Sequence, residues 1–167
     1  MDSVQTKPSS SPVTLPAKGP ILLADDSQND VEIFRRAYRK AGFQNPLHVV
    51  HDGNEAIRYL LGEGQYADRT KFPMPRLLLL DSQMPIMSGC EVLEWLQGRP
   101  EFKELIVIML GGSGSPNEEV TAIRLGAKGY YMKPQTPAEL EQLVKRICGN
   151  WELPGSARCA RLVGLEP

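Results

Sequence analysis

Three aspartates and one lysine stand directly after short apolar runs. Asp25 and Asp26 follow Ile21-Leu22-Leu23-Ala24, Asp81 follows Leu77-Leu78-Leu79-Leu80, and Lys133 follows Gly129-Tyr130-Tyr131-Met132. A further run, Leu105 to Leu110, leads into Gly111-Gly112-Ser113-Gly114-Ser115-Pro116. Taken singly, an aspartate after a strand is often a helix cap, and a lone lysine is usually solvated. Taken together, four such residues at three strand ends would converge, because ligands of open parallel sheets bind beyond the carboxyl ends of the strands. Carboxylate oxygens and waters are what Mg²⁺ requires, in octahedral geometry at ~2.0–2.1 Å. The set therefore suits a divalent cation beside a fixed positive charge.

The elements that would position these residues alternate regularly. The run at Ile21 is short and buried, and Asp25-Asp26-Ser27 supplies turn and helix-cap chemistry. Val31, Phe34, Ala37 and Tyr38 then fall on one face at helical spacing, closed by Gly42. Leu47-His48-Val49-Val50 reads as a second strand, followed by a helix capped by Asn54 and carrying Ala56, Ile57, Tyr59, Leu60 and Leu61. Gly62 to Pro75 reads as a long surface loop or a frayed helix extension. Leu77 to Leu80 lacks alternation, as expected of a parallel strand covered on both faces. A third helix carries Val92, Leu93, Trp95 and Leu96, and a fourth, capped by Asn117, points Val120, Ile123 and Leu125 inward. Pro137 to Cys148 forms a fifth, amphipathic helix. Five strands alternating with five helices imply an α/β fold with a doubly wound five-stranded parallel sheet.

Composition bounds the function. The chain has 167 residues, room for about one domain with a real core. Residues 1–19, with three prolines and a serine run, read as a flexible leader, 20–150 as the domain and 151–167 as a short tail. Lysine plus arginine number 19 against 20 aspartate plus glutamate, which argues against a surface built overall for nucleic acid or anionic membrane. No apolar run approaches a membrane span, and the N-terminus lacks the pattern of a secretory signal. The expected location is the cytoplasm. Cys90, Cys148 and Cys159 are widely spaced and show no metal-ligand pattern.

Across residues 20 to 149 the chain resembles the receiver domains of two-component response regulators. The resemblance is carried by Ala24-Asp25-Asp26, by Asp81-Ser82-Gln83-Met84-Pro85-Ile86-Met87-Ser88-Gly89, and by Gly126-Ala127 and Gly129-Tyr130 leading to Lys133-Pro134. It implies that Asp81 accepts a phosphoryl group from a phosphohistidine. It also implies that Asp26 binds Mg²⁺ directly, Asp25 partly through water, and Gln83 through its backbone carbonyl. Lys133 would pair with Asp81 and later with the phosphoryl oxygens. The implied partner is a sensor histidine kinase or a phosphotransfer protein, and the implied role is a signalling switch rather than an enzyme. In many relatives the Lys-Pro bond is cis. Aspartyl-phosphate hydrolases resemble a different pattern, with a second aspartate where this chain has Gln83.

The chain departs from the family at one important place. Thirty residues after Asp81, where a Ser or Thr usually reads the phosphoryl group, stands Gly111. Its backbone N–H or Ser113 would have to substitute, and Tyr130 occupies the family's switch aromatic position. A phosphorylation-independent pseudo-receiver is the alternative that Gly111 raises. The stretch Gly62 to Pro75 and Asp52-Gly53-Asn54-Glu55-Ala56 resemble the small regulators of bacterial phytochrome-type kinases. His48 and His51 are expected away from the acceptor end, with structural roles. Because the tail is too short for a DNA-binding module, output would come through protein contact. The fourth helix, fifth strand and fifth helix, exposing Glu118, Arg124, Lys128 and Glu139, would form a partner or homodimer face.

Overall fold

The structure, a computed structural model, describes residues 19–150. The remainder of the leader, and the tail with Trp151 and Cys159, lie outside the described residues. Five strands form one sheet in the order β2-β1-β3-β4-β5. They are β1 (Ile21–Ala24), β2 (Leu47–Val50), β3 (Leu77–Asp81), β4 (Ile106–Gly111) and β5 (Gly129–Met132), and every neighbouring pair is parallel. The connecting helices are α1 (Gln28–Lys40), α2 (Gly53–Leu61), α3 (Gly89–Leu96), α4 (Pro116–Arg124) and α5 (Pro137–Asn150). The expected doubly wound α/β sheet is the observed fold.

The sheet separates two apolar cores, and this explains the unbroken apolar runs. Leu22, Ala24, Leu78 and Leu80 face α2, α3 and α4, meeting Ala56, Leu60, Val92 and Ala122. Ile21, Leu23, Leu77 and Leu79 face α1 and α5, meeting Val31, Phe34, Val144 and Ile147. Successive strand residues point to opposite faces, so a strand covered on both sides needs an apolar side chain at every position.

Two caps differ from the expected ones. Asp52 caps α2, its Oδ1 accepting from the Glu55 N–H at 2.7 Å, while Asn54 lies exposed one residue inside the helix. In α4 the cap position is Ser115, and Pro116 opens the helix. The fixed φ of proline suits the first helical position, so it sets the start earlier than Asn117 would. The inward face of α4 also differs. Glu118, Ala122 and Leu125 face the sheet at helical spacing, while Val120 and Ile123 are 67% and 41% exposed.

The segment from Gly62 to Pro75 is neither a loose loop nor a helix extension. A short 3-10 turn at Gly64–Tyr66 buries Tyr66, whose ring packs against Tyr59 and Phe72, with His48 beside both of these. Arg69 donates to the carbonyls of Tyr59 at 2.8 Å, Leu60 at 2.6 Å and Phe72 at 3.1 Å, satisfying the open C-terminal end of α2. The structural role expected of His48 fits this cluster, where burial lowers its imidazole below the usual range.

Candidate functional site

The register of the strands brings the chemistry-bearing residues to one edge. Ala24 lies opposite Leu80, and Asp81 opposite Leu110, so the residues that follow β1, β3 and β4 lie level with one another. Asp25, Asp26 and Asp81 each place a carboxylate oxygen within 4.8 Å of the others, with Asp25 and Asp81 buried and Asp26 exposed. Their turns are fixed by their own side chains. Asp25 Oδ1 accepts from the Ser27 N–H at 2.9 Å, and Asp81 Oδ1 from the Gln83 N–H at 3.2 Å. The other oxygen of each, Oδ2, is the one that meets Lys133.

Lys133 enters from the end of β5. Its Nζ lies 2.8 Å from Asp25 Oδ2, 2.9 Å from Asp81 Oδ2 and 3.2 Å from Asp30 Oδ2. Burial works to lower its pKa, but the hydrogen bonds and charges of Asp25 and Asp81 overcome this and hold it well above the usual lysine value. Burial raises the Asp81 carboxyl, against the opposing pull of Lys133 and the Gln83 N–H, and the charge of Asp25 adds to the rise. Crowded acidic groups of this kind gain from a cation among them. The donor set is therefore one that Mg²⁺ fits, with oxygen ligands throughout.

Behind Asp81 the backbone turns tightly into α3. The Ser82 N–H donates to the Leu110 carbonyl at 2.8 Å and the Gly89 N–H to the Ser82 carbonyl at 3.2 Å. A Cβ at Gly89 would strike the Asp81 carbonyl, so α3 begins at the closest approach to the Asp81 loop that the backbone allows. Ser88 and Glu91 form a capping box at that start. Between Asp81 and that cap lies Ile86 at φ 70°, a β-branched residue in left-handed backbone.

The residues assigned to a switch occupy the far side of the site. Gly111 ends β4, and a Cβ built on it falls onto the Tyr130 hydroxyl, with ring carbon Cε2 only 2.9 Å away. Tyr130 thus fills the space that a Ser or Thr side chain would need. Its hydroxyl donates to Glu118 Oε2 at 2.6 Å. Ser113 and Gln83 are both exposed, and the Tyr130 hydrogen bond foremost holds Glu118 below the usual glutamate range, against the opposing effect of its burial.

Three expectations require correction. His51 is not remote from the acidic edge: its Nδ1 lies 3.3 Å from the Asp25 carbonyl, because β2 pairs with β1 and ends level with it. The Lys133-Pro134 bond is trans, as are all peptide bonds among the described residues. Glu118 is turned inward rather than displayed on the surface of α4. Sequence reasoning also passed over Asp30, whose signal was its place in the first turn of α1, five residues beyond Asp25.

A doubly wound parallel sheet ending in a carboxylate cluster with a half-buried lysine defines a protein of the α/β class with a cation-binding acidic edge beyond its strand ends. The chain belongs to the response regulator receiver domain family of two-component systems, whose model matches residues 21–145. It is 28% identical over 131 residues to the response regulator Rcp1 of Synechocystis sp., covering 78% of this chain and 87% of that protein. It is 27% identical over 130 residues to the chemotaxis protein CheY1 of Helicobacter pylori, covering 78% and 97%. Among solved structures, a response regulator in red light signalling of R. palustris superposes with TM-score 0.76 at 28% identity, covering 80% of this chain and 94% of that one. The phosphorylated cyanobacterial phytochrome response regulator RcpA gives 0.73 at 30%, covering 81% and 94%. The Mn²⁺-bound form of Rcp1 gives 0.70 at 26%, covering 89% and 99%. Phosphorylation and Mg²⁺ binding are typical of this family.

Proposed function

We propose that this chain is a phosphoacceptor receiver that takes a phosphoryl group on Asp81 and signals through protein contact. The observation that carries this reading is the meeting of Asp25, Asp26 and Asp81 around one space with Lys133 2.9 Å from Asp81. An Asp81 carboxylate oxygen attacks phosphorus, the bond from phosphorus to the imidazole nitrogen of a histidine kinase or phosphotransfer protein breaks, and the electron pair stays on that nitrogen. Lys133 positions the acceptor and neutralises charge on the transferred oxygens, which is most of what phosphoryl transfer needs. Asp25, Asp26, Asp81 and the Gln83 carbonyl would hold Mg²⁺, which supplies further neutralisation when bound.

Output is assigned to the face formed by α4, β5 and α5, toward a partner or a second copy. Val120, Ile123 and Met132, at 67%, 41% and 53% exposed, add apolar side chains to this face. No helix among the described residues is long and apolar enough to cross a membrane, and we place the protein in the cytoplasm. The likeness to phytochrome response regulators makes a phytochrome-type kinase the first partner to test.

Incubation with Mg²⁺ and acetyl phosphate, followed by intact mass measurement, tests the acceptor. The expected result is one added phosphoryl group in the wild type and none in Asp81→Asn. A second reading, a phosphorylation-independent pseudo-receiver, is favoured by Gly111 and by the filled space above it. It takes the lead if the wild type shows neither added mass nor Mg²⁺ binding.

A further inference from the structure

Lys133 Nζ meets a third carboxylate besides the two of the buried acidic edge. Asp30 Oδ2 lies 3.2 Å away, against 2.8 Å for Asp25 and 2.9 Å for Asp81. Asp30 comes from the first turn of α1, where its N–H is already met by the Ser27 hydroxyl at 3.2 Å. Its side chain is 43% exposed and stands outside the group of carboxylates, Asp25, Asp26 and Asp81, that come close enough to share a cation. Asp30 thus faces the lysine, not the cation space. A cavity of about 330 Å³ between α1 and α5, lined by Asp30, Ile33, Phe34, Lys133, Pro134 and Leu140, opens beside the pair and gives both side chains room to move.

We propose that Asp30 is a positioning residue that draws Lys133 toward α1 and so sets how tightly the site holds a phosphoryl group. The proposal rests on the receiver reading above and names a residue that tunes it. A lysine ammonium has three N–H donors, and three carboxylate oxygens already stand around this one. A phosphoryl group on Asp81 brings about two negative charges and three strong acceptor oxygens that need the same donors. The donor turned to Asp30 is one that the phosphoryl oxygens lack, and the Asp30 charge repels them across a half-buried gap. Toward a cation the sign is reversed. The Asp30 charge draws Mg²⁺ toward the edge and takes up part of the lysine charge that would repel it. Asp30 therefore strengthens the hold on the cation and weakens the hold on the phosphoryl group. A side chain that served stability alone would not split the two ligands in this way.

The test titrates two probes into the full chain: Mg²⁺ alone, and beryllofluoride at saturating Mg²⁺ as the stand-in for a phosphoryl group. Asp30→Asn keeps the shape of the side chain but removes its charge. It is expected to bind beryllofluoride about threefold more tightly, the scale of one exposed ion pair, and Mg²⁺ alone more weakly. Asp30→Ala, which also removes the oxygen facing the lysine, is expected to tighten beryllofluoride at least as much. Glu32→Gln is the control. It removes the same charge from α1 at an exposed position beside Arg35 and Tyr38, on a hollow that Lys133 does not line, and is expected to leave both affinities near the wild type. Unchanged or weaker beryllofluoride binding in both Asp30 variants overturns the proposal. So does an equal gain in Glu32→Gln, which would assign the effect to net charge, or a gain shared by Mg²⁺ alone, which would mean a reshaped acidic edge. A wild type that binds no beryllofluoride overturns the receiver reading as well.

Discussion

Lys133 Nζ lies as near to Asp25, at 2.8 Å, as to Asp81, at 2.9 Å. One ammonium from β5 thus neutralises two buried carboxylates from β1 and β3. Those carboxylates are only 4% and 7% exposed, so their charges depend on this partner when no cation is bound.

Removing that partner should be felt as lost stability. Lys133→Ala is expected to cost about 2 kcal/mol, a fall of several degrees in Tm, because it leaves two buried carboxylates unpaired. Added Mg²⁺ should recover part of the loss by taking over the neutralising role. Thermal melts with chelator and with Mg²⁺ check this; equal melting of mutant and wild type in chelator would contradict it.

Asp81 should act in the opposite sense. Burial raises its folded-state pKa, so the folded protein binds that proton more tightly than the unfolded chain does. Its contribution to stability is then lost as pH rises above roughly 4, the ordinary aspartate value. Lys133, whose pKa is raised, stays charged throughout the acid and neutral range and does not blur this trend. Asp81→Asn is therefore expected to melt a few degrees higher than the wild type at neutral pH in chelator, with a flatter stability profile above pH ~4. Urea melts across pH measure it, and a neutral-pH loss of stability in the mutant would refute it.

Ile86 carries local strain in the loop that follows Asp81. It sits at φ 70°, is 78% exposed and closes a tight turn in which the Met87 N–H donates to the Pro85 carbonyl at 2.7 Å. Asparagine tolerates this backbone and isoleucine does not, so Ile86→Asn should stabilise the protein by about 1 kcal/mol. Denaturant midpoints would show the gain, and an unchanged midpoint would mean that the strain is relieved elsewhere.

Arg69 is the tie that orders the segment after α2. Arg69→Met keeps much of the side-chain volume but leaves the carbonyls of Tyr59, Leu60 and Phe72 without this donor. A loss of about 2 kcal/mol is expected, with the urea m-value unchanged and Mg²⁺ affinity retained. Loss of Mg²⁺ affinity would show that the segment supports the acidic site as well.

The parallel sheet and the acidic edge were legible in the residues themselves. Leu77 to Leu80 could be apolar throughout only if both faces were covered, and Asp25, Asp26, Asp81 and Lys133 each follow a run of strand length. Once the strands are parallel, their ends meet whatever the details of packing. The rotation of α4 was a different matter. Its apolar residues lie on more than one side, and only packing against the sheet and α3 determines that Ala122 and Leu125 turn inward while Val120 and Ile123 stay exposed. That rotation brings Glu118 onto Tyr130. Likewise, nothing in the local sequence states that β2 ends level with β1, which places His51 against Asp25, or that Arg69 reaches back to cap α2. Sequence determined which residues reach the end of the sheet, because an unbroken apolar run of strand length is a local pattern. Tertiary structure decided which of them touch, because helix rotation and loop return are set by partners distant in the chain.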